Sequence, residues 1–268
     1  MEPFQIPSPK GSTRLYAVIG NPVAQVQAPE LLNRIFADEG IDAVMVPVQA
    51  SPEHLGTVIE GLKSIGNLDG ILITIPHKFA AVDHLDRVSP MVELAGSTNA
   101  LRREADGSWL GENFDGLGFV AGLRKYGHDL AGKTIALIGA GGAGAAIAPA
   151  LLEAGAARLH LTDSTEEKAH ALATRLNRRW PDAVEVSRQP RLDDADIAIN
   201  ATPLGLREDD PLPFLLDALK AETLVADIIM KPAETKLLRQ AAASGHAIHH
   251  GIHMLSEQIG LYRRFFGF

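Results

Sequence analysis

"KTIALIGAGGAGAAIAPALLEAG", residues 133–155, is the stretch on which the fold turns. It opens as a short apolar run of strand type and closes as an Ala- and Leu-rich segment of helical character that must absorb Pro149. Between them Gly139, Gly141 and Gly144 satisfy G-x-G-x-x-G. Glycine supplies 25 of the 268 residues, so the pattern takes its meaning from its context. A strand that turns tightly into a helix brings the backbone close to a pyrophosphate at the helix N-terminus. The next apolar run, "RLHLTD", ends at Asp163. An acid about 20 residues beyond the glycines can accept hydrogen bonds from the adenosine ribose. Such a carboxylate would repel a 2′-phosphate, and "TDST" (162–165) carries no arginine. The sequence therefore predicts NAD in preference to NADP.

Outward from this stretch, strand and helix patterns alternate. Before it, "RLYAVIG", "DAVMVPVQA" and "GILITIP" read as strands, and "APELLNRIFADEG" and "SPEHLGTVIEGLKSIG" as helices, the second capped by Ser51 with Pro52 at its first position. After it come the strands "RLHLTD", "ADIAINAT" and "TLVADIIM", with the helix "STEEKAHALATRLNRRW". The alternation predicts parallel α/β sheets. The glycine-rich "GENFDGLGF" (111–119) reads as the crossing between two series. The expected fold is α/β in two domains with a ligand cleft between them. An N-terminal α/β domain spans 1–115 and is completed by C-terminal helices 251–268; a Rossmann dinucleotide-binding domain spans 116–250.

Composition excludes other classes. Hydrophobic residues make up 46% and charged residues 22%, as in ordinary globular proteins. A net charge of -8 argues against nucleic acid or an anionic membrane as the partner and leaves a small-molecule substrate. The absence of cysteine removes disulfides, thiolate metal sites and cysteine nucleophiles, and fits a cytoplasmic location. The polar, proline-rich start "MEPFQIPSPKGSTR" carries no secretory pattern. A cluster of His246, His249, His250 and His253 is broken by Gly245 and Gly251, and no metal site is expected there. The oligomeric state, monomer or homodimer, is open.

In order along the chain, "AVIGNPV" (17–23), "ITIPHK" (73–78), "GSTNA" (96–100), "GENFDG" (111–116), "GAGGAG" (139–144), "NATPLG" (200–205), "ADIIMKPAETKLL" (226–238) and "GIHMLSEQ" (251–258) resemble the motifs of the shikimate/quinate dehydrogenase family. The resemblance covers nearly the whole chain, and it implies that the N-terminal α/β domain with the C-terminal helices is the substrate domain. It implies interconversion of a ring secondary alcohol and its ketone by hydride transfer with a nicotinamide cofactor. It also implies a catalytic pair, Lys78 and Asp115, and substrate contacts at Thr74, Asn99 and Gln258. Cofactor contacts are implied at Gly139, Gly141, Gly142, Ala143, Gly144, Asp163, Ser164, Asn200, Ala201, Thr202, Ile228, Gly251 and Met254.

The chemistry is consistent with these roles. Oxidising an alcohol requires a proton to leave oxygen as hydride leaves carbon. A lysine takes that proton once desolvation lowers its pKa from about 10.4. Asp115 opposes that shift but can orient the amine. In the reverse direction Lys78 donates as an ammonium.

The chain departs from the family at the substrate end. Val26 and Ala28 stand where an S-x-S pair binds the substrate carboxylate, Leu72 where asparagine is common, and Met230 where a D-x-x-Y tyrosine stands. Each hydrogen bond to a charged group contributes roughly 1.5–3 kcal/mol, so a carboxylate should be held more weakly. Gln25, Gln27 or His77 could replace the lost contacts, or the substrate could lack a carboxylate. A competing reading is a non-catalytic NAD-binding sensor derived from the same fold. A hydrolase lacks G-x-S-x-G.

Overall fold

The computed structural model describes residues 8–268; the first seven residues of the polar N-terminal stretch lie outside the described residues. The chain packs as two units. One comprises the N-terminal segment up to Glu93, Ser97–Asn113 and Ile259–Phe268; the other comprises Leu94–Gly96 and Phe114–Gln258.

The first unit is built from β1 (Arg14–Gly20), α1 (Ala28–Asp38), β2 (Ala43–Gln49), α2 (Leu55–Lys63), β3 (Leu68–Ile73), β4 (Arg87–Val88), α3 (Pro90–Ala95), which runs on into the second unit, β5 (Ala100–Arg103) and β6 (Trp109–Glu112). Among the described residues its strands form a six-stranded sheet in the order β2-β1-β3-β5-β6-β4. β1 is buried from Tyr16 to Gly20 because parallel neighbours flank it and helices cover it. Its core packs Ala17, Ile19, Leu55, Ile59, Ile71 and Trp109. Pro47 sits on β2, at the sheet edge, where a missing N–H is tolerated.

The three strands read from the sequence, β1, β2 and β3, pair in parallel as expected. The sheet is nevertheless mixed, since β5, which the sequence reading did not name, runs antiparallel to both β3 and β6. The β5–β6 turn is made by Asp106 and Gly107: Gly107 takes φ +85, and Asp106 Oδ1 accepts from the Ser108 N–H at 3.0 Å. Ser51 does not cap its helix with its side chain. Its hydroxyl meets the Glu53 carboxylate, and a 3₁₀ turn at Pro52–His54 precedes α2.

The second unit contains α4 (Asp115–Lys125), β7 (Thr134–Ile138), α5 (Gly142–Glu153), β8 (Arg158–Thr162), α6 (Glu166–Asn177), β9 (Val184–Val186), β10 (Ile197–Asn200), β11 (Leu224–Asp227), α7 (Lys236–Ala243), β12 (Ile248–His249) and the start of α8 (Ile252–Phe266), whose later residues belong to the first unit. The sheet order is β12-β11-β10-β7-β8-β9, with every described pairing parallel. This is the doubly wound dinucleotide-binding order, and it reverses direction between β7 and β10. α5 runs through Pro149, which is buried.

The stretch read as a glycine-rich crossing is largely helix. α4 begins at Asp115 and carries Gly116, Gly118 and Gly122 on buried positions. A Cβ on Gly116 would stand 2.1 Å from the Ala146 carbonyl oxygen, and one on Gly118 would stand 2.5 Å from that of Met254. The glycines lower helix propensity but let α4 lie directly against α5 and the first turn of α8.

Candidate active site

The β7–α5 turn is fixed by backbone contact. Gly139 takes φ +110, and a Cβ there would lie 2.6 Å from the Ala201 carbonyl oxygen. A Cβ on Gly144 would lie 2.0 Å from the Gly139 carbonyl oxygen. Gly141 differs: nothing stands within 4 Å of its Cβ position, so the turn presents an open face at the N-terminus of α5. Gly142 and Ala143, half-buried, form the first residues of that helix. An open glycine face before a twelve-residue helix suits a pyrophosphate, whose charge the first-turn N–H groups meet.

Asp163, at the end of β8, does not project free. One carboxylate oxygen accepts from the Ala140 N–H at 2.6 Å, the other from the Thr165 N–H at 2.8 Å. The residue clips the glycine turn to the start of α6. Ser164 beside it is exposed.

The loop after β10 closes the other side of the turn. Asn200 is fully buried, and its Oδ1 accepts from the Thr202 N–H at 3.0 Å and hydroxyl at 2.7 Å. Its amide donates to the Leu204 carbonyl at 2.9 Å and to Asp227 at 3.2 Å. Asp227 also accepts from the Ile229 N–H and the Thr235 hydroxyl. Burial pushes its pKa up to about 6, against the pull of these donors. Asn200, Thr202 and Asp227 thus hold one another, with Ala201 buried between them. Sequence reasoning assigned Asp227 no role; its position one strand from Asn200, in register, was the available signal. Ile228 and Met230 are half-buried beyond it, and Gly251 packs so closely that a Cβ would stand 2.4 Å from the Ile228 carbonyl carbon.

In the first unit, Lys78 is half-buried in the turn after β3. Its carbonyl accepts from the Thr98 N–H at 2.8 Å, fixing the backbone beside Asn99. Thr74 donates its N–H to the Ile19 carbonyl at 2.9 Å, so the β1 and β3 ends are tied together. Asn99 is buried and donates to the Tyr262 hydroxyl at 3.3 Å. Tyr262 was not anticipated; its place one turn beyond Gln258 on α8 is the pattern that pointed to it. Val26 and Ala28 are half-buried at the entry to α1. His77 is spent on the fold: it is buried, with Nε2 on the Ala50 carbonyl at 2.8 Å. Gln25 turns back to the Pro22 carbonyl at 2.9 Å.

In the second unit, Asp115 is buried at the first turn of α4 and accepts from the Gln258 amide at 3.3 Å. Met254 is buried one turn earlier on α8. The histidines gather behind this pair: the His249 ring lies 4.9 Å from that of His253 and 5.9 Å from that of His128. Burial, followed by the charges of His253, His128 and His250, drives the His249 pKa down to about 3. Among the described residues, no three His, Asp or Glu side chains are arranged to hold a metal ion. No described helix is long and apolar enough to cross a membrane.

Comparison with known proteins gives consistent matches. A family model described as Shikimate dehydrogenase substrate binding domain matches residues 18–101, and one described as Shikimate / quinate 5-dehydrogenase matches 122–205. The Shikimate dehydrogenase (NADP(+)) of Rubrobacter xylanophilus is 37% identical over 260 residues, 95% of this chain and 91% of that protein. The crystal structure of shikimate dehydrogenase from Aquifex aeolicus has a TM-score of 0.87 at 33% identity, covering 97% of this chain and 94% of its own. The ligand-free 5-ketofructose reductase of Gluconobacter sp. strain CHM43 has a TM-score of 0.83 at 30% identity, covering 95% and 92%.

These matches overturn the expected preference for NAD. The Rubrobacter relative is named for NADP(+), as are further curated relatives of similar identity. The argument for NAD took the Asp163 carboxylate to serve the ribose; in the structure each of its oxygens also accepts from a backbone N–H, which ties the residue to its own turn. Nothing among the matches supports a non-catalytic sensor.

Proposed function

The chain belongs to the shikimate/quinate dehydrogenase family, and on that premise we propose that it is an NADP-dependent oxidoreductase interconverting a ring secondary alcohol, of the shikimate or quinate type, and its ketone. The observation that carries this reading is the setting of Lys78. It is half-buried in the turn after a core strand, with its backbone held by Thr98 and with Thr74 and the buried Asn99 on the adjoining chain.

Lys78 is the acid/base group. In ketone reduction its ammonium gives a proton to the developing alkoxide; in oxidation its amine removes the hydroxyl proton. Thr74 and Asn99 orient the hydroxyls of the substrate. Asp115, buried and bound by Gln258, is the carboxylate that the family pairs with the lysine. The nicotinamide, when bound, supplies or takes the hydride. Gly139, Gly141 and Gly144 give its pyrophosphate room, and the Asn200–Asp227 network holds the adjoining loop in shape.

A second reading of the substrate is favoured by Val26 and Ala28. Two side chains without a hydrogen-bond donor stand where the family binds a carboxylate. A similar solved protein is named for 5-ketofructose, a substrate without one. The test is to compare kcat/KM for shikimate and quinate with NADP against 5-ketofructose and related neutral ketones with NADPH. Preference for the carboxylates supports the family substrate; preference for the neutral ketones supports the second reading. Absence of turnover with every ring alcohol and ketone would contradict the proposed activity.

A further inference from the structure

The NADP reading, on which this inference rests, leaves a problem of charge. The corner that would receive the adenosine ribose carries Asp163 at the end of β8 and Glu166 in the first turn of α6. Ser164, between them, brings no charge. A 2′-phosphate entering this corner with no nearby cation would be repelled by two carboxylates.

The strand beside β8 provides one. β9 pairs with β8 in parallel, Leu161 opposite Val186. The chain stays fastened to β8 one residue further on. Ser187 donates its N–H to the Leu161 carbonyl at 3.1 Å, and its hydroxyl stands 3.3 Å from that of Thr162. The next residue on each side is Asp163 and Arg188. Arg188 Nε lies 2.8 Å from Glu166 Oε1, and its side chain is 83% exposed. The guanidinium is therefore anchored by a short tether at the same corner as Asp163 and Ser164. It is held by a single exposed ion pair, which costs little to open.

We infer that Arg188 is the residue that reads the 2′-phosphate of NADP, and that Glu166 occupies its guanidinium when no nucleotide is bound. A planar guanidinium meets phosphate oxygens with paired N–H donors, and one with little burial can swing from a carboxylate to a phosphate. The ion pair that Arg188 makes is with Glu166, while each oxygen of the Asp163 carboxylate accepts from a backbone N–H of its own turn. The cation thus comes from the segment just beyond β9, outside the stretch that sequence patterns examine. Discrimination between the two cofactors depends on the balance between Arg188 and Glu166.

The test is calorimetric titration of the purified full chain with NADP, NAD, adenosine 2′,5′-bisphosphate and adenosine 5′-monophosphate. The last two differ at the 2′-phosphate alone. The wild type should bind the 2′-phosphorylated member of each pair more tightly. Arg188→Ala should weaken that member by about 10–100-fold and leave the other within about twofold. Glu166→Gln should tighten NADP by a few-fold, because the guanidinium no longer has a competing anion. Both positions are at the surface, so thermal melts should match the wild type.

If Arg188→Ala keeps the wild-type preference while Lys168→Ala, in the first turn of α6, abolishes it, the cation has been misassigned. A wild type that binds NAD as tightly as NADP would overturn the cofactor reading itself, and this inference with it.

Discussion

Two of the turns that lead from a buried strand into a helix, those after β7 and β1, are built on opposite principles. The turn after β7 is made of backbone. At Gly139 and Gly144 any side chain would collide with carbonyl oxygens at 2.6 and 2.0 Å, and at Gly141 the space is left open. The turn after β1, residues 21–27, is made of side chains: Gln25, Val26 and Gln27, followed by Ala28 at the start of α1. A contact made by backbone constrains the sequence through sterics, so the cofactor end keeps a recognisable pattern. A contact made by side chains can be exchanged without disturbing the fold, so the substrate end can drift. On the proposed assignment, this difference accounts for a glycine pattern that is present here beside Val26 and Ala28 where the resemblance expects serines.

The sharpest way to break this comparison is at the glycines. Gly144→Ala forces the Gly139 carbonyl to move, and should destabilise the protein by about 1–3 kcal/mol while reducing NADPH affinity by about 100-fold. Gly141→Ala should separate the two effects. Its methyl meets no protein atom, so the melting temperature should hold while NADPH affinity falls. An unchanged NADPH affinity in Gly141→Ala would mean that the open face at Gly141 is not where the nucleotide lies.

Next in size is the support beneath the loop. Asp227→Ala leaves the Asn200 amide, the Thr235 hydroxyl and the Ile229 N–H without their acceptor. Denaturant unfolding should record a loss of about 3 kcal/mol. A loss under about 0.5 kcal/mol, the size of an ordinary surface substitution, would show that this network is dispensable.

At the side-chain turn the effect should be a change of specificity. The double variant Val26→Ser, Ala28→Ser introduces two hydroxyls at the positions that the resemblance matches to the family's serine pair. Steady-state kinetics should show KM for shikimate falling by about tenfold, with the KM of neutral ketones nearly unchanged. A uniform change for both substrate types would place these residues outside carboxylate recognition.

The smallest effect is on pH dependence, where two buried groups act in opposite directions. His249 has a folded pKa of about 3, below its free value of about 6.5, so its stabilising contribution is full above pH 6.5 and is lost as pH falls toward 3. Asp227 has a folded pKa of about 6, above its free value of about 3.9, so its contribution is full below pH 3.9 and is lost as pH rises through 6. Between pH 6.5 and 5 the two offset each other. His249→Phe removes one side, and its melting temperature should rise on acidification from pH 7 to 5, relative to the wild type's. Parallel curves for the two proteins would contradict the assignment to His249.

Much of the second unit was legible because strand, glycine turn and helix follow one another within a single stretch. The mixed sheet of the first unit was less so. Its β5–β6 hairpin carries an Asp106–Gly107 signal, but the flanking strands are four residues each, too short for their alternation to stand out. α4 was hidden for a different reason. Its glycines lower local helix propensity and are repaid only by contacts with α5 and α8, which are distant in sequence. Lys78, Thr74 and Asn99 are proposed for the site on motifs, and the structure adds their burial and backbone contacts. The cofactor preference could not be read from motifs, because whether an aspartate faces a ligand or caps its own backbone depends on hydrogen bonds that composition does not encode.

The most direct test of the central claim is the rate of hydride transfer in Lys78→Ala, measured in a single turnover with saturating NADPH and the best ketone. The account predicts a fall of about 10²–10⁴-fold, with the NADPH dissociation constant within about twofold of the wild type. A variant that reduces the ketone at the wild-type rate would contradict it, and would leave Lys78 as a charge at the end of a strand.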